Sequence, residues 1–289
     1  MYDQFFGQFL LQKGLLTAEQ LCRALGKETA ARVKLGVLAI DKGWLSAAQV
    51  HELHTLQRSQ DTRFGDLAVS KGYLTPAQVD ELLQSQRSRH LSLSQAILDS
   101  GYLTLAELTP VLALYKAQAA LARDEDGFDA VAQSVIALSS LESGQRERYS
   151  LYTGLFLRNA VRFLQTTPVL EAAGPLDQTA SDWFISQVIS IDGQQLQTGL
   201  LLPAATLVQL AAAYSGEPIE AVDELALDAA AEFLNLHNGM FSIAVVNRGG
   251  DARMMPQTVG KATLLPGPGL ALSIVTALGR MQLVLAAGN

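Results

Sequence analysis

Hydrophobic residues recur at helical spacing through the first part of the chain, in four stretches that align without gaps. In each stretch a short apolar run precedes a glycine, a pair of apolar or aromatic residues, and a Ser or Thr. The glycines lie 29 residues apart (43−14, 72−43 and 101−72), at Gly14, Gly43, Gly72 and Gly101. The equal spacing predicts four copies of one structural unit, in which neighbouring units stack to bury their apolar faces.

Each unit also carries signals that end one helix and begin the next. A glycine after an apolar helix supplies the left-handed conformation of a helix C-cap. The Ser or Thr stands three residues before a Gln or Glu, which is the spacing of a capping box. These pairs are Thr17/Gln20, Ser46/Gln49, Thr75/Gln78 and Thr104/Glu107. Each unit is therefore predicted to be a short helix, a tight turn and a longer helix.

The units resemble the N-terminal domain of the type II secretion and MshE-type pilus ATPases, over roughly residues 5 to 115. In that family two tandem motifs of the form Arg-Leu-Gly…Gly-x-Leu…Leu…Gln bind cyclic di-GMP. The resemblance implies that units two and three form the ligand pair and that the outer units are structural. The implied binding residues are Lys34, Leu35, Gly36, Gly43 and Gln57 in unit two, and Arg63, Phe64, Gly65, Gly72 and Gln86 in unit three.

The leading Arg and the trailing Gln of the family's motif contact guanine edges. Arg suits this task because its planar guanidinium pairs bidentately with guanine O6 and N7. Unit three keeps this residue as Arg63, whereas unit two has Lys34 in its place. The alternative is a scaffold that binds only protein. The family's ATP chemistry is not expected, because Gly260-Lys261-Ala-Thr lacks the upstream glycine of a Walker A loop.

After a polar, turn-rich stretch near residues 140 to 148, helical and alternating segments are mixed. The pattern predicts a helix over 152–165, a hairpin turning at Asp192-Gly193 and a helix over 204–214. A further helix from Glu224 is predicted to end with a C-cap at Gly239, before a β-rich run over 241–246. Two final strands are predicted near 270–276 and 281–285.

Glu232 and Asn235 stand three residues apart in the predicted helix, so they share one face. That spacing alone is also typical of a solvated helix surface. The stretch Glu232-Phe-Leu-Asn235-Leu-His-Asn-Gly239 resembles the Glu-x-x-Asn-x-x-x-Gly signature of the CheC/CheX/FliY chemotaxis phosphatases. The resemblance covers about residues 150 to 289 and has one signature copy, as in CheX. The Asp-Gly hairpin, the Leu-rich helix before Gly216 and the Met255-Pro-Gln-Thr-Val segment follow in the CheX order.

Taken together, these patterns predict an α+β protein with an all-helical N-terminal repeat domain and a CheX-like α+β domain whose sheet is mainly antiparallel. The predicted bounds are 1–118 for the repeats, 119–148 for a helical linker and 149–289 for the CheX-like domain. The resemblance also implies a homodimer, because CheX proteins often pair through sheet edges.

The second resemblance implies hydrolysis of the aspartyl phosphate on a response-regulator receiver domain, with Glu232 and Asn235 as the catalytic pair. An acyl phosphate is already activated, so the protein has only to place a water in line with the departing carboxylate. The neutral Asn235 would hold that water, and Glu232 would pair with a lysine of the receiver. No cofactor or metal is expected on this chain, because the receiver brings its own Mg²⁺. His237 and Asn238 replace small or aliphatic residues of the family, which predicts added bulk and polarity beside the site.

Composition narrows the remaining choices. With 289 residues, 49% of them hydrophobic and 17% charged, two folded domains are expected. The net charge of −7 disfavours nucleic-acid binding. The single cysteine excludes an intramolecular disulfide, and neither a signal peptide nor a membrane span is recognised, so we expect a cytoplasmic protein. Two alternatives to the phosphatase stay open: a non-catalytic, cyclic di-GMP-responsive adaptor for a motility, pilus or secretion system, and a structural dimer with both sites vestigial.

Overall fold

The structure is a computed structural model that describes residues 4–28, 30–60, 62–85, 89–121, 127–139, 141–174, 183–261 and 269–287. The chain divides into two compact units, called the first unit (Met1–Asp124) and the second unit (Glu125–Asn289). The four sequence repeats keep their names, units one to four, and all belong to the first unit. No helix in these ranges combines the length and the apolarity that crossing a bilayer requires.

The first unit is built from helices in which a short and a longer one alternate. In its described residues these are α1 (Phe6–Gln12), α2 (Ala18–Glu28), α3 (Leu35–Asp41), α4 (Ala47–Gln60), α5 (Phe64–Ser70), α6 (Pro76–Gln84), α7 (Arg89–Asp99) and α8 (Leu105–Leu121). Each consecutive pair corresponds to one of the four sequence units.

The turns between paired helices have the predicted geometry. The φ angles are +64° at Gly14, +72° at Gly43, +68° at Gly72 and +68° at Gly101, all in the left-handed region. At each turn the Ser or Thr hydroxyl accepts from the backbone N–H of the Gln or Glu three residues later. The side chain of that Gln or Glu accepts in return from the backbone N–H of the Ser or Thr. The left-handed glycines and the capping boxes are therefore confirmed at all four turns.

Within units two and three the short helix crosses its partner very closely. A Cβ atom on Gly36 would lie 2.6 Å from Val50 Cγ1, and one on Gly65 would lie 2.8 Å from Val79 Cγ1. These two glycines are thus required for close packing of α3 on α4 and of α5 on α6, whatever they contribute to a ligand.

The second unit combines four helices and seven strands in its described residues. They are α9 (Gly127–Ile136), α10 (Ser143–Phe163), β1 (Val169–Gly174), β2 (Trp183–Ile191), β3 (Gln194–Leu202), α11 (Ala204–Ser215), α12 (Glu224–Val246), β4 (Ala252–Met254), β5 (Thr258–Lys261), β6 (Gly269–Thr276) and β7 (Gly279–Ala287).

The strands form one antiparallel sheet in the order β1-β6-β7-β3-β2-β4, and β5 also pairs with β2. The β2–β3 hairpin turns through Asp192 and Gly193, whose φ angles of 50° and 77° suit a tight two-residue turn. Side chains of α10, α11 and α12 share one apolar core with the sheet. The predicted α+β class with a mainly antiparallel sheet is confirmed.

Two predicted boundaries in this unit are wrong. The helix α12 does not end at Gly239 but continues to Val246, because Gly239 keeps helical geometry and the left-handed glycine comes at Gly249, with φ +89°. The supposed β-rich run is helical, with Phe241 buried and Ile243 exposed. The helix predicted from residue 152 begins earlier, at Ser143, since Tyr149 continues its buried face.

Candidate functional site

The helix α12 presents two different faces. Its first turn is fixed by Asp223, whose carboxylate accepts from the backbone N–H of Ala226 at 2.8 Å. The core-facing side buries apolar side chains such as Phe233 and Phe241. The opposite side carries Glu232, which is exposed, and Asn235, which is half-buried. Both candidate catalytic residues therefore lie in the middle of a long helix, more than two turns from either end.

The two candidate side chains touch each other. Asn235 Nδ2 donates to Glu232 Oε2 at 3.4 Å, a long hydrogen bond at the surface of the helix. Burial, and after it the charge of Glu232, raise the pKa of the Tyr214 phenol at the end of α11. The pair thus offers a carboxylate and a carboxamide at the surface.

A buried glutamine supports Asn235 from below. Gln187 on β2 is only 3% exposed. Its Nε2 donates to Asn235 Oδ1 at 3.0 Å and to the backbone carbonyl of Met255 at 2.8 Å. The Met255 N–H in turn donates to the carbonyl of Val188 at 2.9 Å, which holds this segment against β2. The orientation of Asn235 is therefore set by the sheet as well as by its own helix.

A second buried layer lies beneath Gln187. Asn238 Nδ2 donates to Gln187 Oε1 at 2.8 Å and to Thr198 Oγ1 at 2.9 Å. The Thr198 hydroxyl donates to the Gln187 backbone carbonyl at 2.9 Å, and the Tyr152 hydroxyl donates to Asn238 Oδ1 at 2.7 Å. Burial raises the pKa of Tyr152 well above its usual range, so it acts as a donor. Asn238 therefore belongs to the support of the site.

His237 points into the core. Its ring is fully buried against Tyr152 and Phe156, with ring centroids 4.4 and 5.2 Å away. Its Nδ1 accepts from Asn159 Nδ2 at 3.0 Å, and burial lowers its pKa to about 3, so the ring is neutral. The expectation that His237 and Asn238 add bulk beside the site is therefore wrong, since both side chains are 0% exposed and lie behind it.

Exposed apolar side chains extend the surface beyond the pair. Ile243 and Val246 are 62% and 51% exposed. Ile243 follows Glu232, and Val246 follows Asn235, by 11 residues (243−232 and 246−235). Eleven residues are about three helical turns, so each side chain returns to the same face of the helix. Met254, from β4, lies close to the open position of Gly239, where an added Cβ would come 3.9 Å from its Cε. The polar pair is thus continuous with an apolar strip.

The predicted ligand residues of the first unit are only partly brought together. A groove of about 880 Å³ is lined by five of them: Lys34, Leu35, Gly36, Gln57 and Phe64. Gly43 and Gly72 lie in the exposed turns, Gly65 packs on Val79, and Arg63 is exposed at the start of α5 without lining the groove. Gln86 lies outside the described residues.

The groove has an excess of positive charge among its lining residues. Among the lining residues that the structure describes, Arg32, Lys34 and Arg58 are cationic and Asp99 is the one carboxylate. Lys34 Nζ lies 2.8 Å from Asp99 Oδ1, so an anionic ligand would compete with this ion pair. Burial is the main cause that lowers the pKa of His54, which leaves this lining residue neutral. The groove could accept a flat, anionic ligand between cationic and apolar walls.

Across the described ranges, no group of three or more His, Cys, Asp and Glu side chains is placed to hold a metal ion.

Gln187 and its partners were missed by sequence reasoning, although one signal was present. In the alternating strand, Gln187 occupies the same face as Ile185 and Ile189, both fully buried. A glutamine at an inward position of a strand has to satisfy its amide in the core, which marks it for a structural or functional role.

Comparisons with known proteins find a similarity for part of the chain. No protein-family model matches the chain, and no curated protein is significantly similar to it in sequence. Among solved structures it is similar to the chemotaxis protein CheX from Desulfovibrio desulfuricans, with 13% identity and a TM-score of 0.43 over 49% of this chain and 99% of that one. CheX from Vibrio vulnificus matches with 11% identity and a TM-score of 0.43 over 49% and 97%. The CheX–CheY–BeF3–Mg²⁺ complex from Borrelia burgdorferi matches with 10% identity and a TM-score of 0.40 over 48% and 96%. The matched part is the C-terminal half.

Proposed function

We propose that the second unit hydrolyses the aspartyl phosphate of a response-regulator receiver domain. The observation that carries this proposal is the Asn235 carboxamide, which is accessible beside Glu232 and fixed from below by Gln187. The motif Glu232-x-x-Asn235-x-x-x-Gly239 matches the chemotaxis phosphatase signature.

The reaction requires placement of a water more than activation of it. The water oxygen forms a bond to phosphorus while the bond between phosphorus and the aspartyl oxygen breaks. The electron pair of the broken bond goes to the aspartate carboxylate, and the water's proton leaves to solvent or to a phosphate oxygen. Because the leaving carboxylate is a weak base, holding the water in line can supply most of the acceleration. A neutral carboxamide does so without repelling the anionic phosphoryl group.

Docking is assigned to the remaining surface of α12. Glu232 offers a carboxylate for a cation on the receiver, and the strip that includes Ile243 and Val246 offers apolar area. The Mg²⁺ of the reaction belongs to the receiver, where it neutralises charge on the phosphoryl oxygens.

The test is the decay of a purified CheY-type receiver domain that has been phosphorylated with radiolabelled acetyl phosphate. The full chain should accelerate phosphate release, and Asn235→Ala should reduce the maximal rate by about tenfold or more. Asn247→Ala removes an exposed asparagine just beyond the same helix and should leave the rate unchanged. Equal decay with and without the wild-type protein would refute the proposal.

A second candidate function, cyclic di-GMP binding by the first unit, is favoured by the groove. Five of the ten residues implied by the resemblance line this groove, and its cationic side chains suit phosphates. Calorimetry with cyclic di-GMP should give a dissociation constant in the micromolar range or below, weakened by Lys34→Ala. Lys42→Ala changes a lysine of unit two that does not line the groove, and it serves as the control.

The Arg63→Ala variant distinguishes two modes of cyclic di-GMP binding, one that uses the residues implied by the resemblance and one that uses only the groove. If the ligand binds as the resemblance implies, this variant weakens binding. If the ligand uses only the groove, Arg63→Ala binds normally. Absence of heat at micromolar ligand would exclude both versions and favour a scaffold that binds only protein.

A further inference from the structure

The amides behind the site form a chain whose polarity is fixed at one end by a backbone carbonyl. The Met255 carbonyl can only accept, so the Gln187 atom 2.8 Å away from it must be the amide nitrogen. The other end of that amide, Oε1, then faces Asn238 Nδ2 at 2.8 Å and accepts from it. The direction of this hydrogen bond follows from the anchor alone.

A second anchor gives the same direction independently. The single proton of the Thr198 hydroxyl is donated to the Gln187 backbone carbonyl at 2.9 Å. Towards Asn238 the hydroxyl can therefore only accept, so the Asn238 atom 2.9 Å away must be Nδ2. The opposite end, Oδ1, accepts from Tyr152 at 2.7 Å. Both anchors make Asn238 the donor to Gln187.

The consequence reaches Asn235. Since Gln187 Nε2 is a donor, the Asn235 atom 3.0 Å from it is Oδ1, and Nδ2 faces outward. A flipped carboxamide would place one NH2 group against another and would turn its oxygen towards the Glu232 carboxylate. Both contacts would be repulsive, so only one orientation satisfies the chain.

We propose that Gln187 is a positioning residue that holds Asn235 with its amide N–H groups facing the partner protein. Asn238, Thr198 and Tyr152 act one step further back by fixing Gln187. This inference rests on the proposed phosphatase function and adds a direction to it. Asn235 would hold the attacking water through the water's oxygen, by donation, and would not accept the water's proton.

The kinetic test compares two glutamines on neighbouring strands. Gln187→Leu removes the donor to Asn235, whereas Gln197→Leu makes the same chemical change on β3, where the amide donates to Ser186 Oγ at 3.5 Å. With phosphorylated receiver in the assay above, Gln187→Leu should lower the maximal rate about tenfold or more and leave the half-saturating concentration unchanged. Gln197→Leu should behave like wild type. A Gln187→Leu variant with the wild-type maximal rate would overturn the inference.

A second measurement decides the orientation without any catalysis. In an NMR spectrum of the ¹⁵N-labelled full chain, the side-chain NH2 signal of Asn235 is assigned through its loss in Asn235→Asp. Its protons should exchange rapidly with solvent, because they face outward. Those of Gln187 and Asn238 should exchange slowly, because both amide groups lie on buried side chains and all four protons are hydrogen-bonded.

These two readouts distinguish the failure of the inference from the failure of the proposed function. If wild type does not accelerate decay, the phosphatase proposal fails, and the exchange measurement alone decides how Asn235 points. Asn235 protons as strongly protected as those of Gln187 would show the opposite orientation and overturn the inference, whatever the kinetics.

Discussion

The buried histidine behind the site makes the stability of the second unit depend on pH. Burial lowers the pKa of His237 from 6.5 to about 3. Below pH 6.5 the unfolded chain binds a proton at this residue that the folded chain does not bind. Stability is therefore lost as the pH falls through this range, and the loss is complete only near pH 3. Protonation would also remove the acceptor that Nδ1 offers to Asn159.

The magnitude at mild acidity follows from the unfolded pKa alone. At pH 5 the solution lies 1.5 units below the value of 6.5, and each unit corresponds to about 1.36 kcal/mol, so the loss is about 2 kcal/mol relative to pH 7. This is a substantial part of the stability of a typical domain.

The assay is urea unfolding of the wild-type chain and of His237→Gln at pH 7 and pH 5. Glutamine does not titrate, and its carboxamide oxygen can accept from Asn159. The chain has two tryptophans, Trp44 in the first unit and Trp183 in the second, so a Trp44→Phe background makes fluorescence report on the second unit. Other titrating groups are shared by both proteins and cancel.

We expect the free energy of unfolding of wild type, minus that of His237→Gln, to fall by about 2 kcal/mol between pH 7 and pH 5. A difference between wild type and His237→Gln that stays constant with pH would refute the reasoning, because His237 would then titrate normally in the folded chain.

Three further outcomes can be measured. Thr75→Ala removes a complete capping box and should lower the unfolding free energy of the first unit by about 1 kcal/mol. Trp44 fluorescence during urea unfolding, in a Trp183→Phe background, measures this change. Gly65→Ala should destabilise the first unit by about 1–3 kcal/mol, although alanine has the better helix propensity, because the added Cβ would lie 2.8 Å from Val79 Cγ1. Adding Val79→Ala should recover part of this loss. Ile243→Asp should raise the receiver concentration needed for half-maximal dephosphorylation while the maximal rate stays the same, since Ile243 lies three turns from Glu232; an unchanged half-saturation would exclude this strip from the docking surface.

Features with a local cause could be predicted from the sequence. The capping boxes and the left-handed glycines depend on residues within four positions of each other, so Thr75 and Gln78 are sufficient to recognise the turn of unit three. The β2–β3 hairpin was predicted for the same reason, because Asp192-Gly193 suits a turn with two positive φ angles.

Features that depend on residues far apart in the chain could not be predicted from the sequence. Gly239 fits both a helix end and a helix interior, and only its packing near Met254 and the later stop at Gly249 decide between them. The support of Asn235 joins residues 48 and 51 positions apart in the chain, Gln187 with Asn235 and with Asn238. No local pattern encodes those contacts. The motif therefore located the candidate residues but not their orientation.

The close helix crossings of units two and three limit how the four units could be exchanged. The positions of Gly36 and Val50 correspond, at the spacing of 29, to Ser94 and Leu108 in unit four. Ser94 is fully buried, and its hydroxyl donates to its own helix at the His90 carbonyl, so unit four tolerates a side chain where units two and three do not. A chimera that repeats unit two in place of unit three keeps the glycine–valine crossing, whereas unit four in either place would change the distance between its two helices. The units are equivalent in length but not interchangeable, so a duplication that put a copy of unit four in the place of a central unit would not preserve the geometry of that crossing.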